Sequence, residues 1–455
     1  MNKYDKFRKL YKTFTYKSYD IAVTDENIKI TYNFSIDGLA DFAPQWTFKN
    51  TGVNIANKTF ETMVFSLGMV ELVSYWKIAC PKEVIVEAGS LDECQIKWWK
   101  DQYFNGLGEF FYTNGIELDP DGFMNIISTG KAIAGEDKPV EADRKVLVPV
   151  GGGKDSVVSM EIIKNTGYEM NAYIINPRGA TENTARIAGF EEPVVAGRTL
   201  DKEMLRLNKE GYLNGHTPFS AIVAFSSIMA AYLNGQSFVA LSNESSANES
   251  TVKGSTVNHQ YSKSFKFELD FNEYEKKYIG SGIHYFSMLR PLSEFQIAGL
   301  FAGYKEYHKA FRSCNAGSKQ DIWCGHCPKC LFVFIILSPF MFYDDVVDIF
   351  GTNMLDDVSM EEDFKKLIGL VDEKPFECVG SRDEINLSLV LTINKMDTMG
   401  IELPTLLKYY RKTGLYDSYM REGNKLNRYY DENNLLPEEF DKVLKEQCIL
   451  AGVLK

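Results

Sequence analysis

Cys314, Cys324, Cys327 and Cys330 fall within the stretch RSCNAGSKQDIWCGHCPKC, spaced C-x9-C-x2-C-x2-C. Gaps of two residues let three thiolates converge on one tetrahedral ion, and the longer loop returns a fourth. The spacing predicts a closed, structural zinc site with no ligand position left for water. His326 is a possible substitute ligand, and an unmetallated cysteine-rich loop is the plain alternative. Clustering of this kind reads as metal before disulfide in a reducing compartment.

A second constellation is VLVPVGGGKDSVVS, Val146–Ser159. An apolar run leads into Gly151, Gly152 and Gly153, and a new apolar pattern follows. Glycines can take positive φ and let backbone amides converge. With the N-terminus of the following helix, such amides cradle an anion. Lys154 adds a point charge, and Asp155 and Ser156 suit the start of a helix. A plain strand-to-helix turn is the alternative. The Gly-x-x-x-x-Gly-Lys-Ser/Thr of a Walker loop is absent.

Other residues could complete a site. Ser242, Asn243 and Glu244 follow an apolar strand, at the end of a sheet where open α/β folds bind ligands. Glu244 could hold magnesium or a substrate amide, or simply cap a helix. In VNHQYSKS (257–264), His259, Tyr261 and Lys263 alternate, so they share a face if the stretch is extended. Lys263 could bind carboxylate or diphosphate oxygens, and His259 could move a proton. Cys378, in FECVG, could act as a thiolate base or be a small buried apolar residue. Arg178, Arg186, Arg198 and Arg290 could pair with anionic oxygens. Trp76, Trp98 and Trp99 read as core.

These residues need a frame. The predicted strands are 28–36 and 83–89, flanking a buried helix at 60–76, then KVLVPV, NAYIINP and SFVALSN. Between and after the last three lie helices at 156–167 and 220–235. That rhythm predicts an α/β fold, a doubly wound parallel sheet, from 141 to 345. An N-terminal α+β domain (1–140) precedes it, and a C-terminal helical region (346–455) follows. The chain has 455 residues, 45% hydrophobic and 25% charged, with net charge -12. An acidic balance argues against nucleic-acid partners. The apolar stretch 331–343 is too short to span a membrane. The expectation is a soluble, cytoplasmic protein acting on a small molecule.

The string Gly151-Gly152-Gly153-Lys154-Asp155-Ser156 resembles the PP-loop of ATP pyrophosphatases, Ser-Gly-Gly-x-Asp-Ser, with Gly151 in place of the opening Ser. The resemblance implies ATP cleaved to AMP and pyrophosphate, with Lys154 and Ser156 on phosphates and Asp155 orienting loop or metal. It also implies Ser242 and Asn243 in the nucleotide site. A PP-loop followed by a four-Cys site is similar to 7-cyano-7-deazaguanine synthases, which are shorter. The strings SLGMVELVSYWK, QIKWWK, GLGEFFYTN, SNESSANES, VNHQYSKS, RPLSEFQIA and FECVG, with GGGKDS and CGHCPKC, resemble the UDP-N-acetylmuramoyl-L-alanyl-L-glutamate epimerase family out to about residue 380. That likeness implies ATP- and magnesium-dependent inversion of the terminal L-Glu of a UDP-muramoyl dipeptide, in peptidoglycan precursor synthesis. Another adenylating PP-loop ligase, or a nucleotide-binding sensor without catalysis, are the competing readings.

Overall fold

The structure is a computed structural model that describes residues 2–248 and 258–455. The end of SNESSANES and the first residue of VNHQYSKS lie outside the described residues. Eleven strands form one sheet: β1 (Thr13–Val23), β2 (Asn27–Ile36), β3 (Ala40–Phe42), β4 (Gln45–Lys49), β5 (Glu83–Val86), β6 (Asn125–Ser128), β7 (Lys145–Pro149), β8 (Glu169–Ile175), β9 (Val194–Thr199), β10 (Phe238–Leu241) and β11 (His284–Ser287). Their order is β11-β10-β7-β8-β9-β4-β2-β1-β5-β6, with β3 on β2.

The sheet as a whole is mixed, and the strands of 141–345 pair with one another in parallel, as expected. Strands β7 to β11 pair in parallel, whereas β1, β2 and β4 form an antiparallel meander. The meander joins β9 through β4, antiparallel, from Gln45↔Thr199 to Phe48↔Ala196. The physical reason lies in the connections. Short turns link the meander strands, which forces them antiparallel, whereas helical crossovers return the later strands in parallel. The first 140 residues therefore share a sheet with the residues that follow. A buried bidentate pair reinforces the seam. Arg198 of β9 donates to both carboxylate oxygens of Glu71, at 2.9 and 2.6 Å. That carboxylate also accepts from Trp46 Nε1. Arg198, a candidate anion ligand from sequence, is thus occupied by the fold.

The expected helices form where apolar periodicity places them. Lys58–Trp76 is buried almost all round and covers the aromatic face of β1 and β2. Trp76 and Trp99 are buried in the core, and Trp98 packs against Tyr274 at 4.4 Å between ring centroids. The first part of the stretch at 331–343 lies in a buried helix, Pro328–Leu337, started by Pro at its first turn, and the rest turns, with Phe342 exposed, before the next helix begins at Tyr343. Beyond 345 the described chain is helical, from Tyr343–Phe350 to Glu438–Leu450. No helix among the described residues is long and apolar enough to cross a membrane.

Candidate active site

In the parallel half, the order β9-β8-β7-β10-β11 reverses direction between β7 and β10. Crevices of α/β sheets open at the carboxyl ends of the strands flanking such a point. Here β7 runs into the glycine turn and β10 into Ser242-Asn243-Glu244. Between them lies a cavity of about 430 Å³. Gly151, Gly153, Asp155, Ser156, Ser242, Asn243, Lys263, Cys314 and Cys378 line it.

The turn is built for backbone approach. Gly152 has φ +81, and a Cβ there would come within 2.9 Å of the Ala180–Thr181 backbone. The helix Lys154–Ile163 begins with Gly153 as its cap, which offers no side-chain hydrogen bond, so its first amides stay open toward the cavity. At Gly151 a Cβ would meet nothing within 4 Å, and its φ lies outside the left-handed region. The serine of the PP-loop pattern would therefore fit there. Gly152→Ala, in contrast, should cost roughly 1–3 kcal/mol in backbone strain alone. Thermal melting should show that loss.

Lys154 does not face the cavity. Its ammonium is 3% exposed and lies between Asp155 and Glu294, bonded to both. Burial alone would lower its pKa, but the two carboxylates raise it, so it stays charged. Asp155, Glu244 and Glu294 bring three carboxylate oxygens within 4.8 Å of one another. Burial, outweighing the attraction of Lys154, pushes Glu294 up to about 8. Glu294 opens the helix Glu294–Ala302, which a Ser293/Gln296 capping box fixes. Three hard oxygen donors of this kind suit a magnesium ion.

Arg290, another candidate anion ligand, is fully buried and pairs with Glu268 at 2.9 Å. It also donates to the carbonyls of Glu244 at 2.6 Å and Lys263 at 2.5 Å. Its work is to hold the backbones of two site residues, and breaking such a pair costs about 3–5 kcal/mol. Arg186 lies on the surface near Asn183. Of the four arginines, only Arg178 reaches the cavity.

The stretch holding His259 and Lys263 is not extended. Tyr261–Lys263 is a 3-10 turn, so alternation does not set its faces. The turn nonetheless sends both side chains to Cys378. Lys263 Nζ donates to Cys378 Sγ at 3.3 Å, and the His259 ring hydrogen-bonds the same thiol. Burial by itself would raise the Cys378 thiol. The charge of Lys263, the His259 bond and the charge of Lys329 overcome this and lower it to about 6. His259 moves the other way, up to about 9, because Cys378 and Glu109 outweigh its burial. The result is a thiolate among cations at the cavity wall.

The cysteine cluster stands beside this thiol. The four sulfurs lie within 4.8 Å of one another, with separations of 3.9, 3.7 and 3.4 Å for Cys314–Cys327, Cys324–Cys330 and Cys327–Cys330. A Zn–S bond of about 2.3 Å places tetrahedral corners about 3.8 Å apart, so the set fits zinc. His326 is turned to the Cys324 carbonyl, at 2.7 Å, and is not one of the four. The cluster's flanks grip the cavity. Arg312 N–H donates to Gly152 O at 2.8 Å, Asp321 accepts from Ala180 N–H at 2.8 Å, and Asn315 donates to Glu377 at 2.6 Å. Lys329, between two of the cysteines, donates to the Cys378 carbonyl. Glu109, Glu294 and Lys329 are the residues that sequence reasoning missed. Each sits inside a motif already noticed, but nothing in spacing marks its partner.

Fold and site together define a mixed α/β protein in which the Gly151–Gly153 turn and the Cys378 thiol face one cavity. The chain belongs to the MurL family. Its residues 6–288 match the model of the MurL N-terminal domain, and 308–408 that of the MurL C-terminal domain. Similar curated proteins are named UDP-N-acetyl-alpha-D-muramoyl-L-alanyl-L-glutamate epimerase. That of Xanthomonas oryzae pv. oryzae (strain MAFF 311018) is 36% identical over 341 residues, 73% of this chain and 74% of the relative. That of Micromonospora sp. (strain ATCC 39149 / NRRL 15099 / SCC 1413) is 33% identical over 392 residues, 83% and 86% of the two chains. No solved structure matches this chain significantly.

Proposed function

We propose that this protein inverts the terminal glutamate of UDP-N-acetylmuramoyl-L-alanyl-L-glutamate, using ATP, on the way to peptidoglycan. The observation that carries the reading is that Cys378 and the Gly151–Ser156 turn line the same cavity. One element suits phosphates and the other suits a carbon acid. An α-proton beside an ionised carboxylate is very weakly acidic, because the carbanion would face an existing negative charge. Transfer of AMP to the glutamate α-carboxylate, with loss of pyrophosphate, removes that charge. The Cys378 thiolate then takes the α-proton, a proton returns on the opposite face, and water releases AMP and the D-glutamyl product. Lys263, beside Cys378, would stabilise the negative charge that develops on the acyl oxygen.

The open amides after Gly151 and the hydroxyls of Ser156 and Ser242 would bind phosphate oxygens, with Asn243 at the cavity wall. Asp155, Glu244 and Glu294 would hold magnesium, which, when bound, neutralises phosphate charge as pyrophosphate leaves. Lys154 keeps that buried carboxylate set from carrying its full negative charge. Cys314, Cys324, Cys327 and Cys330 would hold zinc, a structural ion that ties the 312–330 loop. The PP-loop fold is the architecture that this arrangement supports.

Incubation with ATP, magnesium and the L-glutamyl substrate in deuterated water tests the reading. AMP, pyrophosphate and deuterium at the glutamate α-carbon are the expected products. Asp155→Ala should lower AMP formation on the order of 10³-fold or more, since it removes one carboxylate of the set that would hold magnesium. A variant that still inverts glutamate at the normal rate would overturn the loop assignment. AMP formation that requires a different acid would overturn the substrate.

A further inference from the structure

Glu109 lies in GLGEFFYTN, far in sequence from the glycine turn and the cysteines. It belongs to the short helix Gly108–Thr113. Its carboxylate Oε2 meets two imidazoles at once, His216 Nδ1 at 3.1 Å and His259 Nδ1 at closer range. The two rings are 4.6 Å apart between centroids. His259 in turn bonds Cys378. The same helix touches the Cys378 loop a second time: Tyr112 donates to Glu373 at 2.8 Å and packs on Phe376 at 5.3 Å. The other side of the carboxylate is fixed too. Lys77 binds the carbonyls of Gly215 and His216 and the hydroxyl of Thr217, which holds His216 in place.

We infer that Glu109 is the positioning residue of the inversion step: it orients the His259 ring and holds a proton on it, so that the Cys378 thiol faces an imidazolium. The inference rests on Cys378 being the base. A carboxylate that orients a histidine beside a nucleophilic or basic group is general acid–base architecture. What the structure adds is that this carboxylate comes from the N-terminal segment, and that it is shared with a second imidazole. Two histidines on one oxygen cannot both be charged without cost. The environment splits them. Burial and the charge of His259 lower His216 to about 4, while His259 is raised to about 9. The charged groups facing Cys378 are Lys263 from the 3-10 turn, Lys329 from the helix Pro328–Leu337, and His259. Those facing His259 are Cys378, Glu109, His216 and Glu377, and Lys77 stands by His216.

The test uses the full-length chain and three readouts. Peptide-resolved alkylation by iodoacetamide against pH follows the Cys378 thiolate. Nitrogen-15 NMR follows the two rings. Deuterium entry at the glutamate α-carbon follows inversion. In the wild type, His259 should titrate near 9 and His216 near 4. Glu109→Gln, whose folding is checked by melting, should raise the Cys378 midpoint by about one pH unit or more. It should lower deuterium entry at pH 7 about twofold for a one-unit rise of the midpoint from about 6, and about tenfold for a two-unit rise, with recovery at higher pH, and Glu109→Asp should restore part of both. Histidines that both titrate near the ordinary value of about 6.5 would overturn the inference without any variant. So would an unmoved Cys378 midpoint in Glu109→Gln while Cys378→Ala abolishes deuterium entry, which leaves the base assignment standing. Normal deuterium entry in Cys378→Ala removes the base assignment and the inference together.

Discussion

Cys378→Ala should still make AMP and pyrophosphate from ATP and the L-glutamyl substrate, yet lose inversion. General acid–base catalysis contributes about 10²–10⁴-fold, so deuterium entry at the α-carbon should fall by at least about 10²-fold. Cys378→Ser should do nearly as badly, because a hydroxyl does not ionise in the range a thiol does. The pH profile of the wild type carries the sign. The Cys378 pKa is lowered from the ordinary thiol range to about 6, so the thiolate form is gained as pH rises through 6. His259 is raised from 6.5 to about 9, so the imidazolium is lost as pH rises through 9. Inversion should rise below neutrality, hold a plateau, and fall above about 9, with the two limbs belonging to the pair. A single limb near the ordinary thiol value of about 8.5 would remove Cys378 from this role.

Loss of the zinc set should be as damaging, by a different route. Cys327→Ser, or chelation under reducing conditions, would remove on the order of 10 kcal/mol of local folding free energy. The 312–330 loop has many duties for so few apolar anchors. It donates to Gly152, caps the helix Gly179–Ile187 through Asp321, and grips Cys378 and Glu377 through Lys329 and Asn315. Hydrogen exchange should therefore quicken at 312–330 and, in step with it, at 374–380 and 150–153. Zinc content by atomic absorption should fall from one per chain. If exchange quickens only at the cysteines while the Cys378 loop keeps its protection, the cluster does not position the thiol.

The elements were largely legible from local pattern. The alternation of β2 and the apolar run of β7 name their own state, because each buries the face that its period presents. The glycine turn was legible for a different reason: only glycine accepts φ +81 at 152 where backbone passes at 2.9 Å. The order of the sheet was not legible. Pairing β4 with β9 brings together residues about 150 positions apart, and no local signal carries that. Alternation in VNHQYSKS would set a common face only in an extended chain, and Tyr261–Lys263 is a 3-10 turn instead.

Arg198 and Arg290 mark the same boundary. As residue types, both suit an anion, and only their burial against Glu71 and Glu268 assigns them to the scaffold. By itself, the sequence determined the chemistry available: a glycine turn ahead of a helix, four cysteines at metal spacing, and a scattered set of Cys, His, Lys and Glu. Those are properties of residue type and short-range spacing, which survive without a fold. The tertiary structure alone decided which of them meet. It turned Lys154 away from the cavity and toward Glu294, and it brought Cys378 to Lys263 and His259. It also set Glu109 between two imidazoles. The reason is that charge and pKa depend on what surrounds a group within a few ångströms, and folding assembles that surrounding from distant parts of the chain.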